Sequence, residues 1–177
     1  RLDKAALAAT AAAMLGWVVM PHNDLVGMLL FAAGVLLAVR LLRWRGVATM
    51  HEPILLVLHV GYGWLAVSFA LLGLSTLLPD AVPHSAALHA LTAGAVGTMT
   101  LAVMTRASLG HTGRAIVADR YVIAMYAMVS AGAMLRVAAP FAGDWYAHVL
   151  SCGGALWTGA FLLFAVRYAP ILWGRRA

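Results

Sequence analysis

The chain has 177 residues; 64% are hydrophobic, 10% are charged, and the net charge is +6. Soluble domains carry about 25% charged residues, so this composition excludes a soluble globular fold and points to several membrane spans. The basic residues sit beside apolar runs rather than in a soluble patch, which argues against nucleic acid and for topology signals and contacts to anionic lipid.

Six apolar runs can be read in chain order, each near the length of about 20 residues that a bilayer core requires. They cover about 5–20, 24–42, 54–78, 85–105, 115–139 and 145–168. The predicted fold is therefore all-α, a single polytopic bundle of six transmembrane helices over 1–177. Pro21, Pro53, Pro79, Pro83, Pro140 and Pro170 fall at or near run ends, where proline costs no interior hydrogen bond. The first run is short and Ala-rich; the third and fifth are long enough to tilt.

Loop charge gives the orientation. Basic residues gather before the first run, between runs two and three (Arg40, Arg43, Arg45), around the loop between four and five (Arg106, Arg114, Arg120), and after six. The alternate loops hold Asp24, Asp80 and Asp144 and no Lys or Arg. The positive-inside rule then puts both termini in the cytoplasm. Arg136 alone among the basic residues belongs to the outer side. The chain opens at Arg1 without a Met, has no signal-peptide cleavage pattern, and reads as a fragment of a longer polypeptide.

The seven histidines form two groups by depth. His22 and His84 lie in outer loops, with His89 near the outer end of span four and His148 near the outer end of span six. His51 and His111 lie in inner loops, and His59 is roughly 8 Å deep in span three at 1.5 Å per residue. His59 and His89 should differ in depth by about 15 Å in a 30 Å core, too far to share one ion. His22, His51 and His84 read as ordinary loop residues. Intramembrane histidine is costly and usually marks a site, which singles out His59, His89 and His148 as metal-ligand candidates, with His111 in its inner loop a further one. Each of three shares a helical face with small residues: His59 with Tyr62, Gly63, Ala66, Ala70 and Gly73; His89 with Ala93, Val96, Gly97 and Thr100; His148 with Cys152, Ala155 and Gly159. Those faces are expected to point into the bundle.

Arg136 stands at the depth of His89 and His148 and calls for an anionic partner. Asp144, a lipid phosphate or an anionic cofactor would serve. The loop 106–114 carries Ser108, Gly110, Thr112 and Gly113, which suit either an anion cradle or a headgroup contact. Cys152 one turn from His148 suits a soft metal, though a single cysteine is most often a small buried hydrophobe and allows no internal disulfide framework. No Walker loop, GxSxG, CxxC or HExxH occurs.

The stretch AALHALTAGAVGTMTLAVMTRASLGHTGR at 86–114 closely resembles the signature of the NnrS family, described as multi-spanning haem- and copper-containing membrane proteins of the nitric-oxide stress response. RWRGVAT at 43–49, LHVGYGWL at 58–65, LRVAAP at 135–140 and FLLFAVRYAPIL at 161–172 are similar to the same family. Residues 1–39 match only as generic spans. The resemblance implies haem b, copper, nitric oxide as a possible partner, and protection from nitrosative stress during processes such as denitrification. Family members are about twice this length with about twelve spans. The chain thus resembles the C-terminal half, and the missing N-terminal half, with its HAHE motif, would help to complete the metal sites. On this reading haem is held by His89 and His148, with Arg136 beside its propionates, and His59 belongs to a distinct second site, copper or a proton path, with His51 and His111 in the loops just below. A cytochrome b-like electron-transfer subunit and a transporter using His59, His89 and Asp119 remain the alternatives; no reaction is implied.

Overall fold

The computed structural model describes residues 2–44 and 46–174. The described residues are helical with no strand, and six helices are long and apolar enough to cross a membrane. They are α1 (Leu2–Val19), α2 (Asp24–Arg43), α3 (Pro53–Leu77), α4 (His84–His111), α5 (Arg120–Ala138) and α6 (Tyr146–Trp173). Each of the six helices overlaps one of the apolar runs. Short 3₁₀ turns at Gly46–Thr49, Ala139–Phe141 and Gly143–Trp145 occupy connections. The turns bearing Asp24, Asp80 and Asp144 define an acidic end of the bundle. The connections near Arg43 and Arg114 define a basic end.

The boundaries are set by local chemistry. Asn23 caps α2, its side-chain oxygen accepting from the Leu25 N–H at 2.9 Å. Asp119 caps α5, accepting from the N–H groups of Tyr121 and Val122, both at 3.0 Å. This delays the start of α5 to Arg120, five residues after the expected point. Span four, expected to end near 105, continues to His111 and closes in a Schellman motif. Gly113 adopts φ +74°, the Arg114 N–H reaches the Leu109 carbonyl at 3.0 Å, and the Gly113 N–H reaches that of Gly110 at 3.3 Å. The Thr112 hydroxyl donates to the Ser108 carbonyl at 2.7 Å. Gly113 and the Thr112 hydroxyl, which in sequence suit either an anion cradle or a headgroup contact, are therefore used in ending a helix, and His111 is the last helical residue rather than a loop residue. Pro170, expected to end span six, lies inside α6, which runs on to Trp173.

Two apolar cores share α3. One joins α1, α2 and α3 through Ala13, Leu30, Ala33, Phe69 and Leu72, with Ala87 of α4. The other joins α3 to α4, α5 and α6 through Val57, Leu101, Met125, Val129, Phe164 and Tyr168. Glycine lets the backbones meet. A Cβ on Gly73 of α3 would stand 2.6 Å from the Gly27 carbonyl oxygen and the Phe31 nitrogen of α2. A Cβ on Gly132 of α5 would stand 2.8 Å from the Gly153 oxygen of α6. Small residues at membrane helix contacts gain dispersion contact where lipid offers no hydrophobic drive. At the basic end Arg40 ties three helices. Its guanidinium bonds Asp3 of α1 at 2.7 Å and the Tyr62 hydroxyl of α3 at 3.0 Å, and it lies 5.0 Å from the Trp44 ring.

Candidate functional site at the acidic end of α4, α5 and α6

Span α4 is not uniformly α-helical. His84–His89 is α-helix, Ala90–Val96 is π-helix, and α-helix resumes at Gly97. π segments are rare and cluster at functional sites. The irregularity begins one residue after His89. No residue-level propensity reports it, because it is held by contacts from other helices. Trp64 of α3 packs where a Gly94 Cβ would stand 2.6 Å from its ring. Trp157 of α6 fills the space beside Gly97, its indole nitrogen 2.6 Å from where a Cβ would be, and donates its N–H to the Ala93 carbonyl at 3.2 Å. Sequence reasoning misses both tryptophans; Gly94 and Gly97 are their one sequence signal.

Beside this segment lies a groove of about 510 Å³ between α4 and α6, lined by Thr92, Val96, Gly97, Gly154, Trp157 and Arg136 among others. The volume is within the range of small-molecule and cofactor pockets, roughly 300–1,000 Å³. The face predicted to run from His89 through Ala93, Val96, Gly97 and Thr100 does line it, apart from His89 itself, which sits one turn above Thr92 and Ala93. Arg136 enters from α5 over two glycines. A Cβ on Gly153 would lie 2.9 Å from its Cγ, and one on Gly154 would lie 3.3 Å from its Nη1. Among the described residues the ion pairs are Arg40–Asp3 and Arg167–Asp119, so Arg136 has no carboxylate at salt-bridge distance. Asp144, one expected partner, lies exposed in the connecting turn. The half-buried His89 imidazole is within electrostatic range of the Arg136 guanidinium. Arg136 thus lines the groove, and His89 lies one helical turn beyond its lining.

The structure does not bring His148 there. The buried face of α6 is Gly153, Ala160, Phe164, Tyr168 and Ile171. His148, Cys152 and Ala155 are exposed on the opposite side, which reverses the expected inward orientation of that stripe. The His148 ring rests 5.5 Å from that of Trp145. The faces beginning at His59 and His148 look alike in sequence, yet only the first is enclosed, with Tyr62, Ala66 and Gly73 buried.

The remaining histidines are dispersed. His59 is half-buried, and its Nδ1 donates to the Leu55 carbonyl at 3.0 Å on its own helix. A carbonyl only accepts, so the neutral ring carries its proton on Nδ1 and leaves the Nε2 lone pair available. Trp44 meets the ring edge-on at 6.1 Å. His51 is exposed and lines a cleft of about 530 Å³ with Glu52 and Arg106. His111 is exposed, and so is His22 in its turn. His84 opens α4, its Nδ1 3.1 Å from the Ser75 hydroxyl. That hydroxyl donates to the Leu72 carbonyl at 2.9 Å and so accepts from His84. Among the described residues no three His, Cys, Asp or Glu side chains come together as a metal site. Asp119, a candidate for a transporter path, is instead a helix cap paired to Arg167 at 2.8 Å. Burial raises its carboxyl, but the Val122 N–H, the Arg167 guanidinium and the Tyr121 N–H together hold it below the ordinary carboxylate value.

No curated protein and no solved structure matches the chain. The family of NnrS proteins matches residues 1–176. The match extends over α1 and α2, which in sequence look like generic spans, and lends no support to the expected missing half. With six spans, an irregular fourth helix bearing His89, and a match along almost its whole length, the chain belongs to the NnrS family of multi-pass membrane proteins.

Proposed function

We propose that the protein is a haem- and copper-containing membrane protein that acts in resistance to nitric oxide and nitrosative stress, with the groove between α4, α5 and α6 as its haem b site. The observation that carries this reading is Arg136, an arginine without a carboxylate partner among the described residues, on a groove of about 510 Å³, with the half-buried His89 imidazole one turn beyond the lining. An apolar pocket with one imidazole and one guanidinium is the donor set that a haem and its propionates require. When bound, haem iron supplies the centre at which a diatomic gas ligates. The chain supplies the rest: His89 offers a ring nitrogen, Arg136 neutralises carboxylates, and Trp157, Phe161 and the threonines exclude water and shape the walls. His148 points out of the bundle, so the reading rests on His89.

The residues fit copper less well. His59 offers one imidazole nitrogen, and His111 and His51 are exposed at the same end. No step is assigned to that metal. Positive-inside charge supports an orientation with the basic end, and both termini, in the cytoplasm of a bacterial inner membrane. The π segment of α4 also favours a second reading, since irregular membrane helices line transporter substrate sites.

Absorption spectra of the purified, detergent-solubilised protein separate the readings. A Soret band that shifts with nitric oxide supports the proposal, a haem band indifferent to it supports a cytochrome b-like subunit, and no chromophore supports the transporter. His89→Ala is expected to lower haem content strongly and Arg136→Ala less. Unchanged haem in His89→Ala removes His89 as the ligand.

A further inference from the structure

The π segment of α4 bears directly on where His89 points. An i→i+5 turn holds one more residue than an i→i+4 turn, so a π segment acts as a one-residue insertion in an α-helix. If Ala90–Val96 relaxed to α-helix without losing a residue, everything before it would rotate by about 100° about the helix axis relative to Gly97–His111. That rotation is enough to turn a groove-facing side chain toward a neighbouring helix or lipid. What holds the segment is tertiary. The Trp157 indole N–H bonds the Ala93 carbonyl at 3.2 Å, and its ring occupies the space a side chain at Gly97 would need. Trp64 lies against Gly94 from α3.

We propose that Trp157 is a positioning residue: by bonding the Ala93 carbonyl it maintains the π turn of α4 and thereby sets the direction of His89, one turn beyond the groove, relative to Arg136. The proposal deepens the haem reading by naming what sets the ligand's direction, but the geometry it asserts exists with or without haem. Trp157 is well suited to this. Its ring is wide enough to bridge α6 to α4, and its single N–H has one partner to choose.

The test measures direction separately from haem. In a Cys152→Ser background, cysteines replace His89 and Arg136, and a short bifunctional thiol reagent is applied to the detergent-solubilised chain. The parent protein is expected to crosslink. Trp157→Phe, which keeps a ring and loses the N–H, is expected to lower the yield by about fivefold or more, because a rotation of about 100° turns position 89 away from position 136. Deleting Val96, an exposed residue of the π segment, from the Trp157→Phe protein removes the surplus residue and should restore the yield. This rescue also shows that the loss is one of helix phase rather than of folding. Equal crosslinking in parent and Trp157→Phe overturns the proposal, as does failure of the deletion to rescue. The haem reading is judged apart, on protein with the native His89 and Arg136. If Trp157→Phe changes the Soret and visible bands and the deletion restores them, the directed His89 is the ligand. If neither protein holds haem while the crosslinking pattern appears, the positioning stands and the haem reading falls.

Discussion

At the scale of single residues, two charged side chains show how context assigns a role. Asp119 lies at the basic end, where sequence alone permits a proton path, and the structure makes it a cap and an ion-pair partner. Its carboxyl is held below its unfolded value, so its stabilisation is present above the ordinary carboxylate range and is lost as pH falls through the folded value. Asp119→Ala is expected to cost about 1 kcal/mol at pH 7 through the lost cap, with at most a modest share from the half-exposed pair. In melts of detergent-solubilised protein the gap between variant and parent should narrow as pH falls below the ordinary carboxylate range. Asp119→Asn should cost less, since Asn caps well. A gap independent of pH would separate the carboxylate from the effect. Arg136 is the opposite case. Its stem is housed by Gly153 and Gly154, and no carboxylate of the described residues answers its charge.

At the scale of elements, the helix pairs divide by how closely they approach. The α2–α3 contact is backbone against backbone at Gly73. Gly63, on the same helix, has only the Leu41 side chain near, and a Cβ there would stand 3.5 Å from it. Gly73→Ala is therefore expected to destabilise by about 1–3 kcal/mol, because neither backbone can move aside without shifting a helix. Gly63→Ala should be nearly neutral. Equal changes in thermal stability in the two variants would show that the close backbone approach at Gly73 does not set its cost. Span α4 is governed by a different balance. It is the most enclosed of the six spans, and its neighbours' tryptophans decide its hydrogen-bond pattern. α6 is long but largely exposed, so its small-residue stripe at Cys152 and Ala155 has no helix to meet among the described residues.

At the scale of the whole molecule, the alternation of acidic and basic ends is the main constraint on how the bundle sits in a bilayer. In a Cys152→Ser background, single cysteines at the exposed positions Met50 and Ala81 should react with impermeant thiol reagents from opposite sides of sealed vesicles. Labelling of both from one side would end the six-span topology. The candidate haem groove lies toward the acidic end, and His59 toward the basic end, so any two sites here are stacked across the membrane rather than side by side.

Composition and apolar run length determined the fold class and the number of spans, because a bilayer core demands about 20 apolar residues per helix wherever the chain crosses it. The depth of each histidine followed from the same rule, since rise per residue is fixed in a helix. Span ends were legible only where a proline or cap acted locally; the Schellman turn at Gly113 and the passage through Pro170 ran past the expected boundaries. Which way each helix faces was decided by tertiary structure. The His59 and His148 stripes have the same small-residue pattern, and in lipid an apolar or small residue is tolerated on either side, so the pattern lacks the inside–outside contrast that a soluble helix provides. The groove, the absence of a described carboxylate beside Arg136 and the π turn next to His89 likewise depend on side chains from α3, α5 and α6 meeting α4, and no local segment of the sequence contains that meeting.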